Sequence, residues 1–294
     1  MSHSQYPAFL RKFKKPVFRC IEFLPDYPAL KLQGLIRLRY WMNLKNPQSI
    51  SEKINWRKLY QRDPRIVDLS DKIKVKSFIE ATIGAEYVIP TLWTGTDPLQ
   101  MPLKDLPLPF VVKTNHSCGD TILVRTPADL DDVKAIQDQM AYHLAHKHSY
   151  KYREWGYYGI KPAILIEEMI GNGSPPEDYK FWVFHGKVQC VGINIDRFGR
   201  NLENWVDRDG KALDLKKTRE ASHDFQLPES FPKMVTIAEK LGAEFDFVRV
   251  DLYSVNNTIS FGEMSFYPGA GMNPYSPREW DYKLGSYWTI TPAA

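Results

Sequence analysis

One stretch limits the possible folds more than any other. It reads Phe247-Val248-Arg249-Val250-Asp251-Leu252-Tyr253, then Ser254-Val255-Asn256-Asn257, then Thr258-Ile259-Ser260-Phe261-Gly262-Glu263-Met264-Ser265. Two runs rich in β-branched and aromatic residues around an Asn-Asn pair describe a β-hairpin. Strand side chains alternate between faces, so Val248, Val250 and Leu252 pack inward while Arg249 and Asp251 share the other face. A turn centred on Asn257 sets Asp251 opposite Glu263, with Cβ atoms about 5 Å apart. Two carboxylates that close repel each other unless a cation neutralises them. A hard divalent ion such as Mg²⁺ prefers such oxygens. Ser265, two residues beyond Glu263 on the same face, adds a hydroxyl. Without an ion, the pair is a solvated polar face. The loop Tyr267-Pro268-Gly269-Ala270-Gly271 runs straight off the second acid and lets backbone amides approach an anionic ligand.

A second group of residues lies upstream. Phe110-Val111-Val112-Lys113 reads as a short buried strand ending on a lysine, followed by the polar turn Thr114 to Asp120. Such a lysine reaches a phosphate as a point charge, and the loop around Ser117 can cover phosphates with backbone N–H groups. Neither GxxxxGK[ST] nor GxGxxG occurs. Ala163 to Ile166 is another buried strand, and Glu167-Glu168 closes it where a hinge could offer backbone groups to an adenine edge. Asp178 and Lys180 open the next hairpin, which turns at His185-Gly186; one can reach a ribose and the other a phosphate.

Two helices are expected over 49–83, with Ser51 and Ser70 as N-caps and Gly84 as the stop. Tyr87 to Pro90 reads as extended, 127–148 as helical, and 231–241 as an amphipathic helix. Strands and helices alternate irregularly, giving an α+β class.

Composition excludes some functions. Lys plus Arg is 39 against 35 Asp plus Glu, a net charge of +4, too mild for a dedicated nucleic-acid binder. The three cysteines, Cys20, Cys118 and Cys190, are scattered, which argues against a disulfide framework or structural zinc and for a reducing compartment. With no transmembrane stretch and no secretory signal, the expected location is cytoplasmic. Residues 1–25 interleave Arg11, Lys12, Lys14, Lys15 and Arg19 with Phe13, Phe18 and Phe23. This is either a solvated helix face with a few core anchors or a helix on an anionic membrane; the break at Pro16 favours the former. Aromatic residues make up 13%, in keeping with sugar-stacking surfaces; Trp155, Tyr157 and Tyr158 are candidates, with core packing as the alternative. His143, His146 and His148 cluster at the end of a helix and read as a solvated terminus.

Taken in order, Ser70-Asp71-Lys72, Val112-Lys113 with its loop, Ile166-Glu167-Glu168, Asp178-Tyr179-Lys180, Arg249-Val250-Asp251 and Glu263-x-Ser265 before Pro-Gly resemble the ATP-grasp superfamily. The phrases Ser51-Glu52-Lys53-Ile54-Asn55-Trp56-Arg57-Lys58-Leu59-Tyr60 and Phe261-Gly262-Glu263 look most like its TupA-like amidoligase branch, related to teichuronopeptide biosynthesis. The resemblance covers about residues 50–275. It implies an α+β fold clamping ATP between two lobes: a helical N-terminal region over 1–85, a small lobe over 86–168 and a large lobe over 169–294. It implies that Lys72, Lys113 and the loop at Ser117 contact ATP phosphates. Glu167, Glu168, Met169 and Ile170 would line the adenine pocket, with Asp178 at the ribose. Lys180 would assist the γ-phosphate, and Arg249 would meet the reacting carbonyl oxygen. Asp251 and Glu263, with Ser265 where the family has Asn, would hold Mg²⁺. The implied partners are a carboxylate, such as a uronic acid of a bacterial surface polysaccharide, and an amine or amino acid. A rival is a metal-dependent glycosyltransferase using Asp207-Arg208-Asp209, although Asp209-Gly210 reads as a turn. A second rival is a polysaccharide-binding module that binds no nucleotide.

Overall fold

The computed structural model describes residues 21–117, 119–146, 149–171, 176–195, 199–217, 219–223 and 225–290. Among the described residues, four helices precede the first strand: α1 (Asp26–Leu38), α2 (Ile50–Tyr60), α3 (Arg65–Ser70) and α4 (Val75–Ile83). The basic stretch up to residue 20 lies outside the described residues, as do Cys118 and His148. Three helices, rather than two, occupy the region around 49–83. Ser49, not Ser51, caps α2 in a capping box with Glu52, which satisfies otherwise orphaned amides at the helix start. Ser51 N–H donates instead to Asp281 Oδ1 at 2.9 Å. Asp71, not Ser70, organises the turn into α4, its Oδ1 accepting the Ile73 N–H at 2.9 Å. The Tyr87–Pro90 segment forms no strand; the strand begins at Thr91, β1 (Thr91–Gly95).

Two antiparallel sheets follow. The first joins β1 with β2 (Phe110–Thr114), β3 (Ile122–Val124) and β4 (Ile164–Glu168) in the order β1-β4-β2-β3. Its apolar face, with Phe110, Val112, Val124, Ile164 and Ile166, packs against Ile136 and Met140 of α5 (Val133–Ala145). After the single turn α6 (Ser149–Tyr152) come β5 (Asp178–Phe184), β6 (Lys187–Ile195), β7 (Leu202–Val206), α7 (Phe231–Gly242), β8 (Phe247–Val255), β9 (Thr258–Ser265) and α8 (Glu279–Ser286). The second sheet is ordered β7-β6-β5-β8-β9. Tyr179, Phe181 and Val183 of β5, with Val248, Val250 and Leu252 of β8, lie in a core shared with α7 and with Val75 and Ile79 of α4. A periodic apolar helix face against an alternating strand face is the usual solution for burying both. The opposite face of this sheet carries Asp178, Lys180 and Trp182 from β5 and Arg249 and Asp251 from β8, paired Lys180–Asp251 and Trp182–Arg249. Among the described residues no helix is long and apolar enough to cross a membrane.

Candidate active site

The β8–β9 hairpin reaches the expected pairing by a different route. Its turn is the two-residue Asn256-Asn257, both with positive φ (50° and 63°), the geometry that two-residue hairpin turns require. Val255 pairs with Thr258 and Leu252 with Phe261, a register that would put Asp251 against Gly262. A bulge at Gly262 shifts it, so Asp251 faces Glu263 and Arg249 faces Ser265. Only glycine fits there, because a Cβ on residue 262 would lie 3.0 Å from Asp251 O and 2.9 Å from the Tyr253 ring.

Arg249 and Lys180 neutralise these acids in the structure. The guanidinium donates to Asp251 Oδ1 and Oδ2 at 2.6 and 2.7 Å and to Glu263 Oε1 at 2.7 Å. Lys180 Nζ donates to Asp251 Oδ2 at 2.8 Å and also to Asp178. Asp251 is 2% exposed, whereas the Glu263 side chain is 37% exposed. Burial alone would push the Asp251 carboxyl up, but Arg249 and Lys180 outweigh it and hold the group below the usual carboxylate range. Burial likewise disfavours the Arg249 charge, and Asp251 and Glu263 more than restore it.

The first sheet carries a matching arrangement. Glu167, 5% exposed at its side chain, accepts from Lys113 at one oxygen and from Lys76 at 2.6 Å on the other. Lys76 is anchored further by Ile89 O at 2.7 Å and Thr91 Oγ1 at 2.6 Å. Burial opposes the Glu167 charge, and the two ammonium groups win, leaving its carboxyl below the usual range. Glu167 therefore meets an expected adenine-pocket position with its carboxylate already engaged. The Glu168 N–H donates to Pro90 O at 3.1 Å and the Met169 N–H to Pro109 O at 3.2 Å. Those two amides are spent within the fold, so any adenine contact there must use other groups; Ile170 is partly buried beside them.

The loop after Lys113 is pinned. Asp120 Oδ2 accepts the Thr114 N–H at 2.8 Å, Thr114 Oγ1 lies 2.9 Å from Ser117 Oγ, and Asn115 Oδ1 accepts the Ala163 N–H at 2.8 Å. Lys72 Nζ donates to Ser117 O. Gly119 has φ 82° and open space where a Cβ would stand, so backbone there is accessible to a ligand.

Three groups of residues were given no role by sequence reasoning. Lys76 follows Lys72 by four residues, a spacing that could have marked it. Lys217 lies in an irregular segment with no local signal. Its Nζ stands 4.4, 4.9 and 5.0 Å from the ring centres of Trp182, Trp205 and Tyr275. Burial, together with Arg249 and Lys180, lowers it to about 8 against the pull of Glu203, which puts it in the electrostatic field of the ionic cluster. The third group is on α2. Lys58 Nζ donates to Ala270 O at 2.6 Å and Asn55 Nδ2 to Gly271 O at 3.0 Å. Arg57 donates to Phe247 O at 2.8 Å and to Asp246 Oδ1 at 2.5 Å. Gly269, Ala270 and Gly271 all have φ between 54° and 58°, a left-handed run that an alanine adopts only when held.

Other expected sites dissolve. Asp207 Oδ1 accepts the N–H groups of Asp209 (3.0 Å) and Lys211 (2.8 Å), and Arg208 pairs with Glu239 at 2.9 Å. The Asp-x-Asp is thus a turn with its first carboxylate used internally. A cavity of about 440 Å³ beside it, lined in part by Lys187, Trp280 and Tyr287, lies at the far end of β6 from Asn194, whose neighbour on β5 is Asp178. Trp155 and Tyr157 pack against the large core instead of facing a ligand. His146 stacks on Tyr142 at 3.9 Å. Among the described residues no group of three or more His, Cys, Asp and Glu side chains could hold a metal. Two facing carboxylates and a hydroxyl nevertheless suit Mg²⁺, which is usually held by one or two carboxylates plus phosphate oxygens.

No curated protein matches the chain. Among solved structures, D-alanine–D-alanine ligase from Bacillus anthracis complexed with ATP is 15% identical, covering 68% of this chain and 54% of that one, with a TM-score of 0.40. The L-amino acid ligase from Bacillus licheniformis is 14% identical, covering 85% of this chain and 57% of that one, with a TM-score of 0.46. The chain thus spans somewhat over half the length of these structures. The family model described as TupA-like ATPgrasp matches residues 52–289. With its α+β architecture and helical N-terminal region, the chain belongs to the TupA-like ATP-grasp family.

Proposed function

We propose that this protein is an ATP-dependent carboxylate–amine ligase that forms an amide through an acyl phosphate, releasing ADP and phosphate. The observation that carries the reading is the cluster of Asp251, Glu263, Arg249 and Lys180 on one face of the five-stranded sheet. The family match supports it. The acceptor is a uronic acid of a bacterial surface polysaccharide and the donor an amine or amino acid, as the resemblance implies. The enzyme works in the cytoplasm, where ATP is held. Its lobes are residues 86–168 and 169–294, with the helical region before them.

Asp251 and Glu263, with Ser265, would hold Mg²⁺, which would offset charge on the triphosphate. Lys72, Lys113 and the Ser117 loop bind phosphates, while Lys76 keeps Glu167 and Lys113 in place. Residues 167–170 border the adenine and Asp178 the ribose. Lys180 exchanges part of its carboxylate contact for the γ-phosphate; phosphoryl transfer depends on such positioning and neutralisation. The transfer moves the γ-phosphoryl group of ATP to a carboxylate oxygen, the bond to the β-phosphate breaking as ADP leaves. The amine then attacks the carbonyl carbon, a proton leaves the nitrogen, and phosphate departs. Arg249 steadies the negative oxygen of the tetrahedral intermediate.

The test is a thermal-shift screen of Mg·ATP against UDP-sugars, followed by ADP release with uronic acids and amino acids. At a hundredfold excess over Kd, a ligand adds roughly 2.7 kcal/mol, a rise of about 5 °C or more for a chain of this size. A shift with UDP-sugars and none with Mg·ATP would overturn the ligase reading in favour of a transferase. No shift with either would favour a non-catalytic module.

A further inference from the structure

The first 46 residues contain nine Lys and Arg against two acids, Glu22 and Asp26, whereas the other 248 contain 30 against 33. The chain is therefore a weakly acidic body with a strongly basic end. The described part of that end also exposes apolar surface. Phe23 is 86% exposed, Trp41 55%, Leu35 44% and Leu24 37%. These are four of the eight large exposed hydrophobic side chains among the described residues, concentrated in nineteen positions. Lys31 and Leu35 lie one turn apart on α1 and share a stripe, while Tyr27, one turn earlier, packs against the buried cluster of Leu30 and Leu38. Trp41 joins it, since the Lys31 ammonium lies 4.5 Å from the Trp41 ring centre and 5.7 Å from that of Tyr27. Arg39, at the end of α1, is exposed as well. α1 is fixed to the body by Leu30 and Leu38, buried in a cluster with Met42, Ala270 and Met272.

We infer that this outer face of α1 seats the protein on an anionic membrane surface. Aromatic rings with a polar edge settle at the headgroup level, and Lys and Arg stems run along apolar surface while their charges reach lipid phosphates. Interfacial helices combine those features. Charge by itself would suit any polyanion, an acidic polysaccharide included. The four large apolar side chains set among the cations favour a bilayer, which alone offers a hydrocarbon boundary. Residues 1–20 extend the pattern in sequence, with Phe9, Leu10, Phe13, Val17 and Phe18 among five cations and no acid. This inference stands apart from the ligase reading.

The experiment is co-sedimentation of the full chain with extruded vesicles of phosphatidylcholine alone or with roughly 30% phosphatidylglycerol. We expect partitioning at least ~10-fold stronger onto the anionic vesicles, and its loss at about 0.5 M NaCl. The double variant F23A/W41A should lose binding at least ~10-fold, and K31E/R39E should lose as much. F23A/W41A alters exposed positions only, so its melting temperature should match the parent, which separates a docking defect from misfolding. No binding to anionic vesicles would overturn the inference. So would binding that F23A/W41A leaves intact, or that soluble polygalacturonate competes away, since charge alone would then explain it.

Discussion

The two sheets each bury one carboxylate between two cations, yet their charge balance is opposite. On the four-stranded sheet, Glu167 alone answers Lys76 and Lys113, leaving a positive excess. On the five-stranded sheet, Asp178, Asp251 and Glu263 meet Lys180 and Arg249, leaving a negative one. The donors differ as well. Lysines are compact point charges suited to phosphate oxygens, whereas the Arg249 fork fixes two carboxylates in a plane. Under the ligase reading the positive side serves the triphosphate and the negative side its metal. A buried acid held only for stability would not need opposite surpluses on two sheets.

The largest effect should follow from Asp251→Asn. It removes the acid that both Arg249 and Lys180 grip, so ADP-forming turnover should fall at least ~100-fold. Breaking a buried ionic network by removing one partner also costs about 3 kcal/mol; a urea titration reads that part separately. Turnover at the parent rate would break the contrast between the sheets. Next comes Lys76→Met, which takes one of two cations from Glu167. Mg·ATP affinity should weaken about 10-fold by calorimetry. Unchanged affinity with reduced stability would make the first cluster purely structural.

The pH dependence sharpens the same comparison. Glu167 and Asp251 both have folded-state pKa values below their unfolded ones. Each therefore adds stability at neutral pH that disappears as pH falls through its lowered value, below roughly pH 4. Glu167→Gln and Asp251→Asn should each flatten the acid limb of a melting-temperature profile, and an unaltered limb would refute the shared design. The smallest effect belongs to Lys217. Its value of about 8 lies below that of a lysine in an unfolded chain. The unfolded chain then holds more protons between about pH 8 and 10, so stability rises with pH there. Lys217→Met should remove that rise, a difference of about 2 °C read by scanning calorimetry.

The hairpin shows how much of this was legible. The pairing of Asp251 with Glu263 was expected from a three-residue turn, and the real turn has two residues. The bulge at Gly262 restores the offset, and nothing local to the turn announces it. The strand faces themselves were readable, because alternation depends on sequence spacing alone. Helix starts were less so. Ser49, Ser51 and Ser70 are chemically equivalent caps, and the choice among them fell to Glu52, Asp71 and Asp281, the last of them 230 positions from Ser51. The α2 phrase containing Asn55, Arg57 and Lys58 was visible as a family mark without a purpose. Its purpose is holding Ala270, Gly271 and Phe247, partners about 190 to 216 positions away.

The order of acids and lysines along the chain, and the side of each strand they occupy, follow from the sequence, since both are set by backbone periodicity. Which cation meets which carboxylate was decided by tertiary structure. Lys76 reaches Glu167 across a helix–sheet contact, and Lys217 reaches the box of Trp182, Trp205 and Tyr275 from an irregular segment. Such pairings depend on how separate elements pack. Packing is a property of the whole buried surface, which no single segment encodes.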